Sequence, residues 1–160
     1  MQKLRLICSS FLSAALFFSL ISVAMAEERV AGYVSGTQEI LQSITLAGGN
    51  VARRIMTRVT VVTDDPDNPL HLATQDCFVT YIFSNNEEPI GGKGSCDGIT
   101  VDGHLWWLAI ELRPDGVVNW TNNGGIGKFS NFKASGTTKV LANFPDGKII
   151  GPFEGTYSNE

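Results

Sequence analysis

The sequence predicts an all-β domain, either a sandwich or a barrel, and three observations carry that expectation. First, no stretch after residue 26 shows a helical hydrophobic period with caps at both ends; short runs rich in Val, Ile, Thr and aromatic residues follow one another instead. Second, turn signals recur about every 8–12 residues, the spacing of sandwiches and barrels. Third, all 17 glycines and all six prolines fall after residue 26, which argues against a helical bundle, a coiled coil or a disordered tail.

Residues 1–26 read as a segment apart. Lys3 and Arg5 precede a mostly apolar run from Leu6 to Val23, and Ala24-Met25-Ala26 supplies small residues at the −3 and −1 positions of a cut. These are the n-, h- and c-regions of a secretory signal peptide, with cleavage expected before Glu27. The competing reading is an uncleaved anchor. The run of 18 residues is barely long enough to span a bilayer, and the A-x-A end favours cleavage. Cys8 precedes the apolar run and is badly placed for a lipid-modified N-terminus. Residues 27–160 then form one domain, at roughly 100–200 residues per domain. Without Lys3 and Arg5, ten basic residues face sixteen acidic ones, a formal charge of −6. Such a domain lacks the basic footprint that nucleic-acid binding requires. No second apolar run of that length follows, so the mature chain is expected to leave the membrane and to be periplasmic or extracellular.

Each element has its own signal. Val30–Val34 and Glu39–Leu46 are the first β-rich runs, and Ala47-Gly48-Gly49-Asn50 breaks the chain after them. Val51–Thr63 alternates, with Ile55, Thr57, Val59 and Val61 opposite Met56, Arg58, Thr60 and Val62. Asp64–Pro69 holds two prolines and four Asx residues and reads as a loop. Cys77–Phe83 is the next strand. Gly94–Val101 and Leu105–Leu112 pair around Asp102-Gly103, a hairpin dipeptide. Val117–Thr121, Gly127–Phe132, Gly136–Ala142 and Lys148–Tyr157 complete the series, with Pro-Asp-Gly turns at 114–116 and 145–147. Pro152 marks an edge, a bulge or a bend in the last of them.

Cys77 and Cys96 remain once residues 1–26 are removed. An even number of cysteines in an oxidising compartment reads as one disulfide, with Cα atoms about 4.4–6.8 Å apart. The alternatives are a reactive thiol and a metal pair. A zinc site needs about four ligands, and His71 and His104, six residues before Cys77 and eight after Cys96, lack ligand spacing. No metal and no cofactor is implied. Asp64, Asp65, Asp67 and Asn68 do not follow a calcium-loop pattern. Gly125-x-Gly127 lacks the third glycine and the helix that a nucleotide motif needs. Asn119-Trp120-Thr121 is a glycosylation sequon placed in a strand.

The segment Asn123-Gly124-Gly125-Ile126-Gly127-Lys128-Phe129, followed by Ala134-Ser135-Gly136-Thr137, resembles a pattern shared by allene oxide cyclases and plant dirigent proteins. It is similar also to small exported bacterial proteins with the same barrel. In those a cysteine strand precedes an Asp-Gly turn and a tryptophan strand, then the glycine segment and E-G-T-Y. Here those elements are Cys96, Asp102–Trp106, Gly124–Phe129 and Glu154-Gly155-Thr156-Tyr157. The resemblance spans Cys77 to Tyr157. It implies an antiparallel, about eight-stranded, calycin-like barrel of the allene oxide cyclase type. Cyclases of this shape bind a fatty-acid epoxide inside the barrel, and dirigent proteins hold phenoxy radicals. Their catalytic acids do not carry over to matched positions, and one fold hosts many chemistries.

The strand His104–Arg113 orients the remaining candidates. His104, Trp106, Leu108, Ile110 and Leu112 share the more apolar face, expected inside; Trp107, Glu111 and Arg113 share the other. Trp106, Leu108, Ile110 and Phe129 are therefore the expected ligand-binding residues. In the opposite register Glu111 would be an inward carboxylate of raised pKa, able to act as an acid or base. His104, at a barrel rim, is the other acid–base candidate, and no nucleophile motif accompanies it.

Three functions remain open. The leading one is binding of a small apolar or aromatic ligand in the barrel, since eight strands leave room for one such molecule or for a filled interior. Phe78, Phe83, Trp106, Phe129, Phe132 and Phe153 are the residues expected to fill it. The second is an isomerase or cyclase, which requires an inward ionisable group. The third is a structural or partner-binding protein that docks through an outer face containing Trp107. The signal-peptide reading has a direct check: intact-mass analysis of exported protein should give Glu27 as the first residue, and retention of Met1 would refute cleavage.

Overall fold

The computed structural model describes residues 27–159; the signal-peptide reading of residues 1–26 lies outside them. Nine strands are present among the described residues: β1 (Glu28–Thr45), β2 (Val51–Thr63), β3 (Thr74–Phe83), β4 (Pro89–Ile99), β5 (Leu105–Leu112), β6 (Val118–Ile126), β7 (Phe132–Thr138), β8 (Ala142–Asn143) and β9 (Lys148–Asn159). Strands β1 to β7 pair antiparallel in chain order, β7 pairs with β9, and β9 returns to β1 from Glu28↔Tyr157 to Thr37↔Lys148. Eight strands thus close a barrel, and the two-residue β8 lies on β9 beyond the end of β7. Closure leaves most strands without a free edge.

Three elements differ from the sequence expectation. Val30–Val34 and Glu39–Leu46 are one strand of 18 residues. The intervening Gly36 is a site of close approach and not a turn, since a Cβ there would lie 2.0 Å from the Arg58 carbonyl oxygen. Strand β6 runs past Thr121 to Ile126, and Gly127–Phe129 is a 3-10 turn where a strand was expected. The glycine segment is thus a bulge followed by a corner. Trp106 pairs with Gly125 and Leu108 with Asn122, so two residues of β6 stand opposite Trp107. Gly124 takes φ 105°, which a side chain would resist. The Asn122 amide holds the bulge, donating to the carbonyls of Trp107 (3.2 Å) and Gly124 (3.1 Å) and accepting from the Gly124 N–H (2.8 Å).

Pro152 sits inside β9, and its neighbours explain the tolerance. Its carbonyl accepts from the Thr138 hydroxyl at 2.8 Å and the Lys139 N–H, where β7 has ended and β8 has not begun. The missing N–H faces the same break, so no ladder bond is lost.

On the inner wall, indoles lie over glycines. A Cβ on Gly98 would meet the Trp106 ring at 2.1 Å, and Cβ atoms on Gly136 and Gly155 would meet the Trp120 ring at 2.4 and 2.6 Å. Each pairing joins registered neighbours: Gly98 opposes Trp106, Trp120 opposes Gly136, and Gly136 opposes Gly155. The glycines create the depressions and the large rings cover them.

One end of the barrel is closed. The 64–73 segment folds across it: Asp64, Asp65 and Asp67 are exposed, as the expected loop at 64–69 should be, while Asn68 and, just beyond the loop, Leu70 and Ala73 are buried. Its Asx side chains serve its own backbone, with Asp65 capping Asp67 and Asn68 capping Leu70, both at 3.0 Å. Thr63 donates to the Asp65 carbonyl and meets His71 Nδ1 at 2.9 Å. Phe129, fully buried, reaches in from the 3-10 turn and makes edge contacts with Trp106 (5.5 Å) and Phe132 (5.0 Å). Burial of each such side chain contributes about 1.5–3 kcal/mol. The inward set differs from expectation at Phe78, which is 53% exposed on the outer face, because it alternates with Cys77 and Val79. Phe83 stacks under the Arg53 guanidinium, 5.0 Å away. Trp106 is 2% exposed and Trp107 is 41% exposed, so the apolar face of β5 points inward. Trp106→Ala should therefore lower unfolding free energy by about 3–5 kcal/mol, and Trp107→Ala by about 0.5 kcal/mol or less, as measured by urea denaturation.

Candidate functional site

Above this floor the barrel holds a partly open cavity of about 140 Å³. Its base is Leu70, Phe132 and Ala134, and it extends past Trp106 and Trp120 towards Gln38, Tyr81, Val140 and Ile149 at the opposite end. One wall, from β5 and β6, presents Leu108, Ile110, Val118 and Trp120; the other, from β1 to β3, presents Val34, Gln38, Thr57, Val59, Gln75, Cys77, Val79 and Tyr81. These residues share the inward face because the side chains of each strand alternate and the register aligns them. Gln38 opposes Thr57, Thr57 opposes Cys77, Cys77 opposes Cys96, and Cys96 opposes Leu108.

Cys77 and Cys96 form a disulfide, and both residues line this cavity. Their Cα atoms are 4.0 Å apart, closer than the expected range. The two residues are direct partners of adjacent antiparallel strands, and the narrow class of such pairs brings Cα atoms to about 4.5 Å. The bridge closes 19 residues of separation, worth on the order of 3 kcal/mol in the chain-entropy model. Gln75 Nε2 donates to Cys77 Sγ at 3.1 Å. Tyr81 is the ionisable side chain among the described cavity residues; burial pushes its phenol up to about 12, so it stays a neutral donor at ordinary pH.

Of the residues singled out from the sequence, Trp106, Leu108 and Ile110 line the cavity, and Phe129 lies beneath it, against Trp106. Glu111 is on the outer face, exposed and 3.6 Å from Lys93 Nζ. His104 stands at the closed end, its ring beside Gly127 and its Nε2 3.4 Å from Asp102 Oδ2. Neither touches the cavity, and the structure does not bring them together. Gln38, Thr57, Gln75, Tyr81 and Trp120 were not singled out. Alternation placed Thr57 on one face of β2, but which faces turn inward on β1, β3 and β6 depends on register, which no single strand encodes.

The closed-end rim is held by charge. Thr100 donates its hydroxyl to Asp102, and Lys128 Nζ lies 3.0 and 3.2 Å from the two carboxylate oxygens. Thr100 also accepts the His104 N–H at 3.0 Å, closing the β4–β5 turn. Lys128 adjoins the Phe129 plug, so this contact ties the plug to the turn.

Solved structures share the architecture. The pterocarpan synthase dirigent protein PsPTS1 superposes with a TM-score of 0.55 at 10% identity, over 84% of this chain and 96% of that one. The pterocarpan synthase dirigent protein GePTS1 does so with a TM-score of 0.50 at 13% identity, over 85% and 93%. At these identities the likeness is one of fold. No family model matches the chain, and no curated protein does.

The rim cluster has a pH consequence. The Thr100 hydroxyl first, and then Lys128, hold the Asp102 carboxyl down at about 2, against about 3.9 in an unfolded chain. A depressed folded pKa contributes stability above the unfolded value, and that contribution fades as pH falls from about 4 through about 2. NMR titration of Asp102 should show a higher pKa in Thr100→Val and in Lys128→Met than in the parent protein.

Proposed function

We propose that this chain is an exported barrel protein that binds one small apolar or aromatic molecule in its interior. The observation that carries the reading is the cavity of about 140 Å³ between Leu70 and the opposite end of the barrel. An engineered apolar cavity of about 150 Å³ holds benzene, so this space suits a single ring with a small substituent. Export is supported by the disulfide, which belongs to oxidising compartments, and by the signal-like sequence before Glu27. The dirigent neighbours lend the analogy of a small-molecule barrel, a warrant at the level of fold.

Binding is favoured over turnover by the distribution of ionisable groups. Acid–base catalysis needs a titratable group within hydrogen-bond reach of the substrate. Glu111 and His104 lie elsewhere, and among the described cavity residues the Tyr81 phenol, a neutral proton donor, has no base to accompany it. An outer-face role for Trp107 has one supporting feature: Ile99, Leu105 and Ile126 form a registered apolar row beside it.

Trp106 and Trp120 line the cavity, so occupancy should change intrinsic fluorescence. Toluene added to the mature protein should give a saturable change, and Leu108→Trp, which fills the space, should abolish toluene binding followed by ligand NMR while preserving the far-UV circular dichroism spectrum. No saturable response in the parent protein would overturn interior binding.

A further inference from the structure

The polar side chains of the cavity are gathered on one wall. Gln38 and Thr57 are direct partners across β1 and β2. Thr57 opposes Cys77 on β3, and Gln75 is the next inward residue along that strand. Tyr81 lies further along the same strand, towards the opposite end from the floor. Directly opposed side chains on one face stand about 4.5–5.5 Å apart, and diagonal ones about 7–8 Å. Gln38, Thr57 and Gln75 are therefore a contiguous patch.

Other inward polar groups are already used. Thr138 donates to the Pro152 carbonyl at 2.8 Å, and Asn122 holds the β6 bulge. The patch differs. Gln75 makes one weak bond, to Cys77 Sγ at 3.1 Å, which leaves its carbonyl oxygen. The side chains of Gln38, Thr57 and Tyr81 make no hydrogen bond to the described residues. No sealed polar side-chain atom among the described residues lacks a partner; Gln38, Thr57, Gln75 and Tyr81 are half-buried and line the cavity, so their polar atoms keep contact with open space and are free to pair with a bound molecule.

Charge narrows the ligand class further. No Lys, Arg or His lines the cavity among the described residues. Arg53, which opposes Tyr81, is committed to Glu87 at 2.6 Å. An ionised carboxylate inside would meet no compensating cation, and burying it would be strongly unfavourable.

We propose that the cavity selects a neutral, ring-sized molecule with an apolar body and a hydroxyl or carbonyl group. The polar group meets Gln38, Thr57 and Gln75 on the β1–β3 wall, and the body packs on Leu108, Ile110 and Val118 opposite. This proposal rests on the interior-binding reading and adds ligand orientation and the exclusion of anions.

Three probes of one size separate the two ideas: toluene, benzyl alcohol and benzoate, titrated at neutral pH and followed by ligand NMR. In the parent protein toluene and benzyl alcohol should bind and benzoate should bind at least tenfold more weakly than benzyl alcohol. Gln38→Met/Thr57→Val should weaken benzyl alcohol about tenfold and leave toluene within twofold; toluene binding doubles as the check that the variant cavity is intact. Thr57→Val alone, a near-isosteric change, should show the same selective loss in smaller degree and serves if the double variant does not fold. Failure of toluene to bind the parent protein would defeat interior binding itself. Toluene binding with benzyl alcohol unaffected by the substitutions, or with benzoate bound as well as benzyl alcohol, would overturn this proposal and leave interior binding standing.

Discussion

The packing of two indoles onto glycine backbone is the contact on which the barrel interior depends. Trp106 covers Gly98, and Trp120 covers Gly136 and Gly155. Any side chain at those three positions would occupy the space that a ring now fills. Trp106 reaches from β5 over β4, and Trp120 from β6 over β7 and β9, so each ring spans neighbouring strands, and both line the cavity. An aromatic side chain buries 150–250 Å² in general terms, so each of these contacts removes one large apolar surface from water.

The two ends of the barrel follow from what the connections carry. At one end the β2–β3 segment supplies Leu70, and the β6–β7 corner supplies Phe129; both are inserted and form a floor. The floor is pinned by Asp102, which meets Thr100 from its own turn and Lys128 from the plug. At the other end the connections at 84–88 and 113–117 are tight turns closed by their own backbone hydrogen bonds, and the connection at 139–147 carries Val140, Leu141 and Phe144, which stay largely exposed. The cavity thus ends against hydrophobic packing on one side and reaches towards half-buried Tyr81 and exposed Val140 on the other.

Electrostatics divides the molecule in the same way. The ion pairs Arg58–Asp76, Lys93–Glu111 and Arg113–Asp115 all lie on the outer surface or in turns, where each is worth little. The interior holds neutral hydrogen-bonding groups on one wall and hydrocarbon on the other. A closed β-wall has no spare backbone donors facing inward, so the amide and hydroxyl side chains of β1–β3 are its means of recognising a polar atom.

The strand character of the chain, its main turns, the pairing of Cys77 with Cys96 and the inward face of β5 were all legible in the sequence. Each of these is a local property: alternation, turn chemistry, or an even cysteine count. Strand boundaries were less legible where glycine intervened. Val30–Val34 and Glu39–Leu46 read as two runs, yet they are one strand with Gly36 in its middle, where the backbone of β2 passes too close for a side chain. Residues 64–69 read as a loop and Asp64, Asp65 and Asp67 are indeed exposed, yet just beyond them Leu70 is drawn inward by a floor that exists only once β6 and β7 have met. Phe78 and Phe129 are alike in composition; one lies outside and the other is sealed. Tertiary structure alone decided the polar wall of the cavity, because Gln38, Thr57 and Gln75 lie on three strands and come together through register. A slip of one residue in any strand would turn its side chain to the other face, so the site is a consequence of closure and not of any one segment.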